Sequence, residues 1–141
     1  MIMNVGITVD QTSELYAKVK KLCEGIEVQF DKDFTIPFPM QEVYTGCGRS
    51  NCNALRFSVN YRKGGYSFYD GHTYPSSYYL SVTPVEQTET GVSYVMFGGG
   101  TCTIAECSRN TQKQRGIAAK AVQDELVDIV YKSICYFKIT L

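Results

Sequence analysis

The segment best suited to chemistry is residues 108–115 (SRNTQKQR), which join a predicted strand to a predicted helix. Three cations, Arg109, Lys113 and Arg115, crowd the start of that helix. Backbone N–H groups and the helix dipole already make a helix start electropositive, so each cation there costs ~0.3–1 kcal/mol. An anion bound among the cations would explain the cluster, and phosphate is the usual anion at this position. Long, exposed side chains without a ligand are the alternative interpretation.

Other arginines and tyrosines could complete a nucleotide site around this junction. Arginine binds phosphate through two N–H groups at once, and the candidates are Arg56, Arg62 and Arg109. Tyrosine rings stack on bases, and the candidates are Tyr66, Tyr69, Tyr78 and Tyr79. Arg56 lies on the polar face of one predicted strand and Arg109 at the end of another. If both strands belong to one sheet, the two arginines could meet.

Catalytic and metal-binding alternatives depend on six cysteines and one histidine. The pairs Cys47–Cys52 and Cys102–Cys107 have a spacing that structural zinc permits, but five residues of strand place the second pair on opposite faces. Buried, packed thiols are the simpler interpretation. A cysteine nucleophile needs a base, for which His72 is the single histidine, and Glu106 is a candidate acid or base. We expect no metal, no cofactor and no catalytic residue.

Residues 98–100 (GGG) precede a predicted strand, whereas a phosphate-binding glycine loop opens a helix. A tight turn is therefore expected there. The chain has 141 residues and a net charge of zero, which favours one domain over residues 1–141 and argues against a broad DNA- or RNA-binding surface. No signal peptide and no apolar run near ~20 residues is visible. We expect a cytoplasmic protein with reduced thiols and no membrane partner.

Two amphipathic helices are expected, one near each end of the chain. The first covers residues 12–24, with Asp10 or Thr12 as its N-cap, and its apolar stripe is Leu15, Val19, Leu22 and Cys23. The second begins near residues 108–111, where Thr111 and Gln114 have the spacing of a capping box. Its predicted buried stripe is Ala118, Val122, Leu126, Ile129, Val130, Ser133 and Ile134. Residues 135–141 are expected to form a strand or a packed arm.

An antiparallel meander of four to five strands is expected between the helices. Apolar and polar residues alternate over 55–61, a hairpin turn follows at 62–65, and further strands are predicted at 66–69, 77–83, 91–97 and 101–107. Residues 31–40 contain Pro37 and Pro39, which disfavour a central strand, so an extended segment over the core or at a subunit contact is expected. Loops are expected at 44–53 and 84–90. This order predicts the α+β class.

Residues 104–115 (IAECSRNTQKQR), at the end of a small helix–meander–helix chain, resemble the first type of phage anti-Thoeris proteins. The resemblance also rests on an arginine in the first long strand, Arg56, and on the overall length. It covers the element order across most of the chain, but specific residues only at the junction. Proteins of this family are non-catalytic sponges that sequester cyclic ADP-ribose-type immune signals. Some members also hold cyclic oligonucleotides at separate sites in a homo-oligomer.

The resemblance implies a phage anti-defence sponge, active against Thoeris or CBASS signalling in the host cytoplasm, that binds a cyclic nucleotide and forms a homo-oligomer. It implies phosphate contacts at Arg56 and Arg109, and a stacking aromatic near the third or fourth strand. The expected ligand-binding set is Arg56, Arg109, Lys113, Arg115, Asn110, Tyr78, Tyr79 and Tyr94. Two alternatives stay open. One is a small enzyme that acts on a nucleotide or phosphorylated substrate, and the other is a structural or protein-interaction module.

Overall fold

An antiparallel sheet carries the fold, and the computed structural model describes residues 7–45, 48–94 and 100–141. The elements in chain order are α1 (Glu14–Leu22), β1 (Phe34–Tyr44), β2 (Arg49–Arg62), β3 (Gly65–Tyr66), β4 (Thr73–Tyr74), β5 (Ser77–Thr88), β6 (Gly91–Tyr94), β7 (Gly100–Glu106), α2 (Gln112–Asp124) and α3 (Leu126–Tyr136). The predicted α+β class and antiparallel meander are confirmed, with two helices after the sheet in place of one.

The main sheet has the strand order β1-β2-β5-β6, and β7 also pairs with β5. β6 pairs with residues 85–88 of β5, and β7 pairs with residues 77–82. Because β2 occupies the other edge of β5, β6 and β7 follow each other along the same edge. The short strands β3 and β4, which lie between β2 and β5 along the chain, pair only with each other and form a small separate sheet. The predicted hairpin at residues 62–65 is therefore wrong, since Tyr66 pairs with Thr73.

Three predicted irregular segments belong to strands. Residues 49–53 extend β2 and residues 84–88 extend β5, although both stretches are polar. Pairing with β1 keeps residues 49–52 extended, and pairing with β6 keeps residues 85–88 extended. The Asn53 amide links the two stretches, because it accepts a hydrogen bond from the Gln87 N–H (2.7 Å) and donates one to the Gln87 carbonyl (2.9 Å). β1 contains both prolines because it is an edge strand, and its register shifts between Pro37 and Gln41.

The N-cap of α1 is Ser13, whose hydroxyl accepts a hydrogen bond from the Tyr16 N–H at 3.1 Å. The predicted caps, Asp10 and Thr12, are wrong because they bond to each other in the preceding turn. The apolar stripe is as predicted. Val19 and Cys23 are buried, and the other two members pack against the core from its edge.

The predicted C-terminal helix is two helices, because the backbone leaves the helical range at Glu125 (φ −112°, ψ 16°). Every predicted member of its buried stripe is nevertheless buried. The last residues form a packed arm that follows α3. Phe137 and Ile139 are buried, and the Gln41 amide bonds both the N–H and the carbonyl of Thr140, at 2.8 and 2.7 Å.

The helices cover one face of the sheet and leave the other face polar. Side chains on the covered face are buried in one apolar cluster, which includes Phe57, Val59, Tyr78, Leu80, Val82 and Cys102. The opposite face carries Ser58, Asn60, Tyr79, Ser81, Thr101 and Thr103. Among the described residues, no helix is long and apolar enough to cross a membrane. Polar chemistry on the sheet is therefore available only on the face that the helices leave open.

Candidate functional site

The predicted junction is held in place by hydrogen bonds from its own side chains and from Tyr78 on β5. Thr111 is the N-cap of α2, with its hydroxyl accepting from the Gln114 N–H at 3.2 Å. The Tyr78 hydroxyl lies 3.1 Å from both the Arg109 carbonyl oxygen and Asn110 Oδ1, so it directs its one hydrogen at this pair of acceptors. Arg115 Nε donates to the same Asn110 Oδ1 at 2.8 Å. This network fixes the path of the chain from β7 into α2.

Two predicted ligand-binding residues are structural in this network. The Tyr78 ring is 1% exposed, because its position on β5 points it toward the helices, so it cannot stack on a base. Burial also raises the pKa of its hydroxyl. The Arg115 guanidinium lies over the Phe30 ring, 5.1 Å from the centroid, and is bonded to Asn110. Its contacts stabilise the helix start, and Asn110 is occupied by the same network.

Arg109 and Lys113 are the junction cations that face solvent. Within the described part of the chain, neither side chain forms a hydrogen bond or an ion pair. Lys113 belongs to the first turn of α2, and Arg109 precedes the N-cap by two residues. These two cations retain the predicted capacity to meet an anion.

Arg56 does not meet Arg109. Arg56 lies opposite Thr83 on β5, whereas Glu106, at the end of β7, lies opposite Ser77. The two points are six residues apart along β5 (83 − 77), which is about 20 Å at ~3.3 Å per residue. Arg56 instead forms an ion pair with Asp33, which precedes β1. The two arginines therefore do not meet within the chain, because the strand register separates them.

A cleft of about 520 Å³ lies between the small β3–β4 sheet and the polar face of the main sheet. We call it the Arg62 cleft, and its chemically active lining residues are Arg62, Lys63, Tyr66, Tyr74, Thr103 and Glu106. Tyr66 and Tyr74 expose 58% and 51% of their surface. Among the described residues, neither cation forms an ion pair with Glu106. The cleft therefore combines unpaired charges with accessible aromatic rings.

Tyr79 positions Arg62 within this cleft. The Arg62 guanidinium carbon lies 4.6 Å from the centroid of the Tyr79 ring, in a cation–π contact. A guanidinium that stacks through its flat face keeps its in-plane N–H groups available for a phosphate or carboxylate. Tyr79, predicted as a base-stacking residue, thus supports a candidate phosphate donor.

A β-bulge in β7 sets which side chains face the cleft. Ala105 lies opposite Tyr78 and Thr103 lies opposite Tyr79, so Ile104 is an extra residue in β7. Because Ile104 is extra, Thr103 and Glu106 both lie on the polar face, although they are three positions apart in the sequence. Without the bulge, one of the two would point into the apolar core.

The same bulge corrects the prediction that Cys102 and Cys107 face opposite sides. Both pack against the core on the helix side of the sheet. They still lie far apart, because Cys102 pairs with Leu80 and the Cys107 N–H bonds the Ser76 carbonyl, which is four residues of β5, about 13 Å. The part of the chain that the structure describes contains no group of three or more His, Cys, Asp or Glu side chains able to hold a metal ion.

Burial makes four of the described thiols weak nucleophiles. Desolvation raises the pKa of Cys23 to about 11 and raises the pKa values of Cys52, Cys102 and Cys135. His72 is exposed in the loop between β3 and β4. There its ring contacts Tyr74, with 6.3 Å between ring centroids. Cys47, the glycines at 98–99 and the side chain of Tyr94 lie outside the described residues, so the predictions made for them stay predictions.

Sequence reasoning missed the small sheet that builds the Arg62 cleft. Arg62 and Tyr66 stood among the candidates, but Lys63 and Gly64 were interpreted as parts of a simple hairpin turn. Gly64 is required because a Cβ there would lie 2.1 Å from the Tyr74 carbonyl oxygen. The available signal for the cleft was the pair of cations before Gly64 and Gly65, followed by tyrosines in the segments that form β3 and β4.

Comparison of the chain with protein-family models, with curated proteins and with solved structures finds no match. The junction and the Arg62 cleft are therefore the features that indicate a function.

Proposed function

We propose that the protein binds a small cyclic nucleotide in the Arg62 cleft and holds it without converting it. One observation carries this proposal: two cations that form no ion pair among the described residues, Arg62 and Lys63, share a cleft with two exposed tyrosine rings. The volume of about 520 Å³ lies within the roughly 300–1,000 Å³ typical of small-molecule sites.

The cleft offers a separate contact for each part of a nucleotide. Arg62 and Lys63 would hold the phosphate, for which charged hydrogen bonds contribute about 1.5–3 kcal/mol each. The rings of Tyr66 and Tyr74 would stack on the base, which contributes about 1–3 kcal/mol per base. The Thr103 hydroxyl, from the floor of the main sheet, is a donor and acceptor suited to a ribose hydroxyl.

The predicted junction lies beside this cleft along the chain. Arg109 follows Glu106 by three residues, a reach of at most about 10 Å. A ligand with a second phosphate could therefore contact Arg109 as well. This second phosphate contact suits cyclic ADP-ribose isomers and cyclic oligonucleotides, which carry two or more phosphates.

A sponge role follows if capture is tight and stoichiometric, because sequestration needs slow dissociation and no turnover. The anti-defence context comes from the resemblance to the first type of phage anti-Thoeris proteins and stays a proposal with it. A homo-oligomer and a location in the host cytoplasm belong to the same proposal.

Calorimetry with cyclic ADP-ribose isomers and with cyclic di- and trinucleotides tests the binding. We expect wild type to bind at least one of these probes, and Arg62→Ala to weaken that binding about 10- to 100-fold through loss of one charged contact. Arg49→Ala is the matched control, since Arg49 pairs with Glu42 on β1 at the surface. Absence of binding to every probe would refute the proposal.

Mass spectrometry of the ligand separates a sponge from an enzyme. Heat denaturation of a sponge releases the ligand unchanged, whereas an enzyme releases a product of altered mass. The remaining alternative, a protein-interaction module, is favoured by Phe68 and Tyr69, which are 92% and fully exposed beside the cleft. Such a module would show no thermal shift with any of the nucleotides.

A further inference from the structure

The Arg62 cleft contains one group that a phosphate site does not need. Glu106 carries a negative charge into a cleft that is otherwise lined by cations and neutral groups, and it would repel a phosphate placed next to it. Within the described residues, the Glu106 carboxylate forms neither an ion pair nor a hydrogen bond. The bulge at Ile104 holds this side chain on the polar face. Its acceptor oxygens are therefore available to a ligand.

A carboxylate accepts hydrogen bonds and donates none when ionised. The complementary ligand must then present N–H or O–H donors to Glu106 and an anion to Arg62 and Lys63, where Arg62 and Glu106 lie on either side of Ser77. The exposed rings of Tyr66 and Tyr74, which also line the cleft, favour a flat aromatic group in the same ligand. A purine nucleotide has all three parts, whereas a small zwitterion lacks the flat group.

Resting on the proposed nucleotide site, we infer that the cleft selects guanine over adenine and that Glu106 makes the selection. The Watson–Crick edge of guanine presents two adjacent donors, N1–H and the 2-amino group, which match the two oxygens of a carboxylate. The same edge of adenine presents one donor, the 6-amino group, beside an unprotonated N1, whose lone pair repels the carboxylate. Hypoxanthine, with N1–H and no 2-amino group, is intermediate.

Glu106 is then a specificity-determining residue, and its effect depends on the base. Guanine offers the carboxylate two charged hydrogen bonds, whereas adenine offers one beside a repulsive N1, so the guanine ligand should bind at least about 30-fold more tightly. The hypoxanthine ligand should fall between the two. Glu106→Gln should reduce the difference between guanine and adenine ligands to about threefold or less, since a glutamine amide can bond either edge.

Calorimetry on the full chain tests the inference with two matched sets of probes, namely cyclic GMP, cyclic IMP and cyclic AMP, and cyclic di-GMP and cyclic di-AMP. Glu89→Gln is the control variant, because Glu89 lies in the turn at the opposite end of β5. Circular dichroism and thermal unfolding verify that both variants fold.

Each outcome has a defined meaning. A guanine preference that Glu106→Gln removes and Glu89→Gln retains supports the inference. Equal affinity for guanine and adenine probes, or a preference that survives in Glu106→Gln, overturns the inference and leaves the nucleotide site standing. No binding of any probe by wild type overturns both the inference and the proposed function.

Discussion

Gly64 fixes the small sheet against the main sheet, and its replacement by alanine tests how the Arg62 cleft is built. A Cβ at this position would lie 2.1 Å from the Tyr74 carbonyl oxygen, 2.4 Å from the Pro75 carbonyl carbon and 2.5 Å from the Ser76 nitrogen. All three are backbone atoms, so no side-chain rotation relieves the overlap. The Gly64 N–H also donates to the Ser76 hydroxyl at 2.8 Å. The alanine variant must therefore move the β2–β3 connection away from the β4–β5 connection.

The expected loss of stability follows from this overlap. Overpacking that forces a backbone shift costs about 1–3 kcal/mol. For a chain of 141 residues, that corresponds to a melting temperature roughly 3–12 °C lower. Gly65→Ala is the matched control, because a Cβ at Gly65 has no heavy atom within 4 Å and its φ lies outside the left-handed region. We expect the control to change the melting temperature by little.

Differential scanning calorimetry and urea unfolding measure this difference, and ligand calorimetry measures its effect on the site. Gly64→Ala should weaken nucleotide binding because Tyr66 and Tyr74 belong to the displaced sheet, whereas Gly65→Ala should leave binding unchanged. If the two variants have equal stability and equal affinity, then the small sheet does not dock through Gly64 as we argue. A Gly64→Ala variant that loses stability but binds normally would show that nucleotide binding does not depend on how the small sheet docks.

Two further predictions concern buried groups. Tyr78→Phe should lower the free energy of unfolding by about 0.5–1.5 kcal/mol, because it removes the hydroxyl that bonds the Arg109–Asn110 segment. The Tyr79 hydroxyl forms no hydrogen bond among the described residues, so Tyr79→Phe should leave the free energy of unfolding unchanged in urea unfolding. An equal loss in the two variants would contradict the structural role of the Tyr78 hydroxyl. The pKa of Cys23 is raised from 9.0 to about 11, so its contribution to stability is complete below pH 9 and lost as the pH rises through 11. The stability difference between wild type and Cys23→Ala should therefore shrink by about 2–3 kcal/mol between pH 8 and 11, and parallel pH profiles would contradict this.

The fold was largely predictable because its signals are local. Period-two alternation identified the central parts of β2 and β5, and helical spacing identified the buried stripe of α2 and α3. That spacing could not reveal the break at Glu125, because the apolar period continues across it. The polar ends of the strands were missed for a different reason. They depend on pairing with β1 for residues 49–52 and with β6 for residues 85–88, and on the Asn53 amide, which bonds the Gln87 backbone.

The candidate site was less predictable because it depends on register. The sequence leaves open whether Arg56 and Arg109 meet, and six residues of β5 separate their neighbourhoods. A single inserted residue, Ile104, decides that Thr103 and Glu106 share the polar face. Neither the pairing register nor a bulge has a reliable signal in one sequence, since both are set by contacts between distant strands.

These long-range effects change what the cationic junction means. Arg115 and Asn110 are used to fix the start of α2, which leaves Arg109 and Lys113 as the exposed cations of the segment. An isolated pair of cations at a helix start is a weak anion site, because solvent screens it. Arg109 follows Glu106 of the cleft by three residues, so in the proposed site it would reach a second phosphate of the same ligand. Arg109→Ala should therefore weaken ligands with two phosphates more than ligands with one, and calorimetry with cyclic di-GMP and cyclic GMP distinguishes the two cases. Equal weakening of cyclic di-GMP and cyclic GMP would show that Arg109 acts only through long-range charge and does not contact the second phosphate.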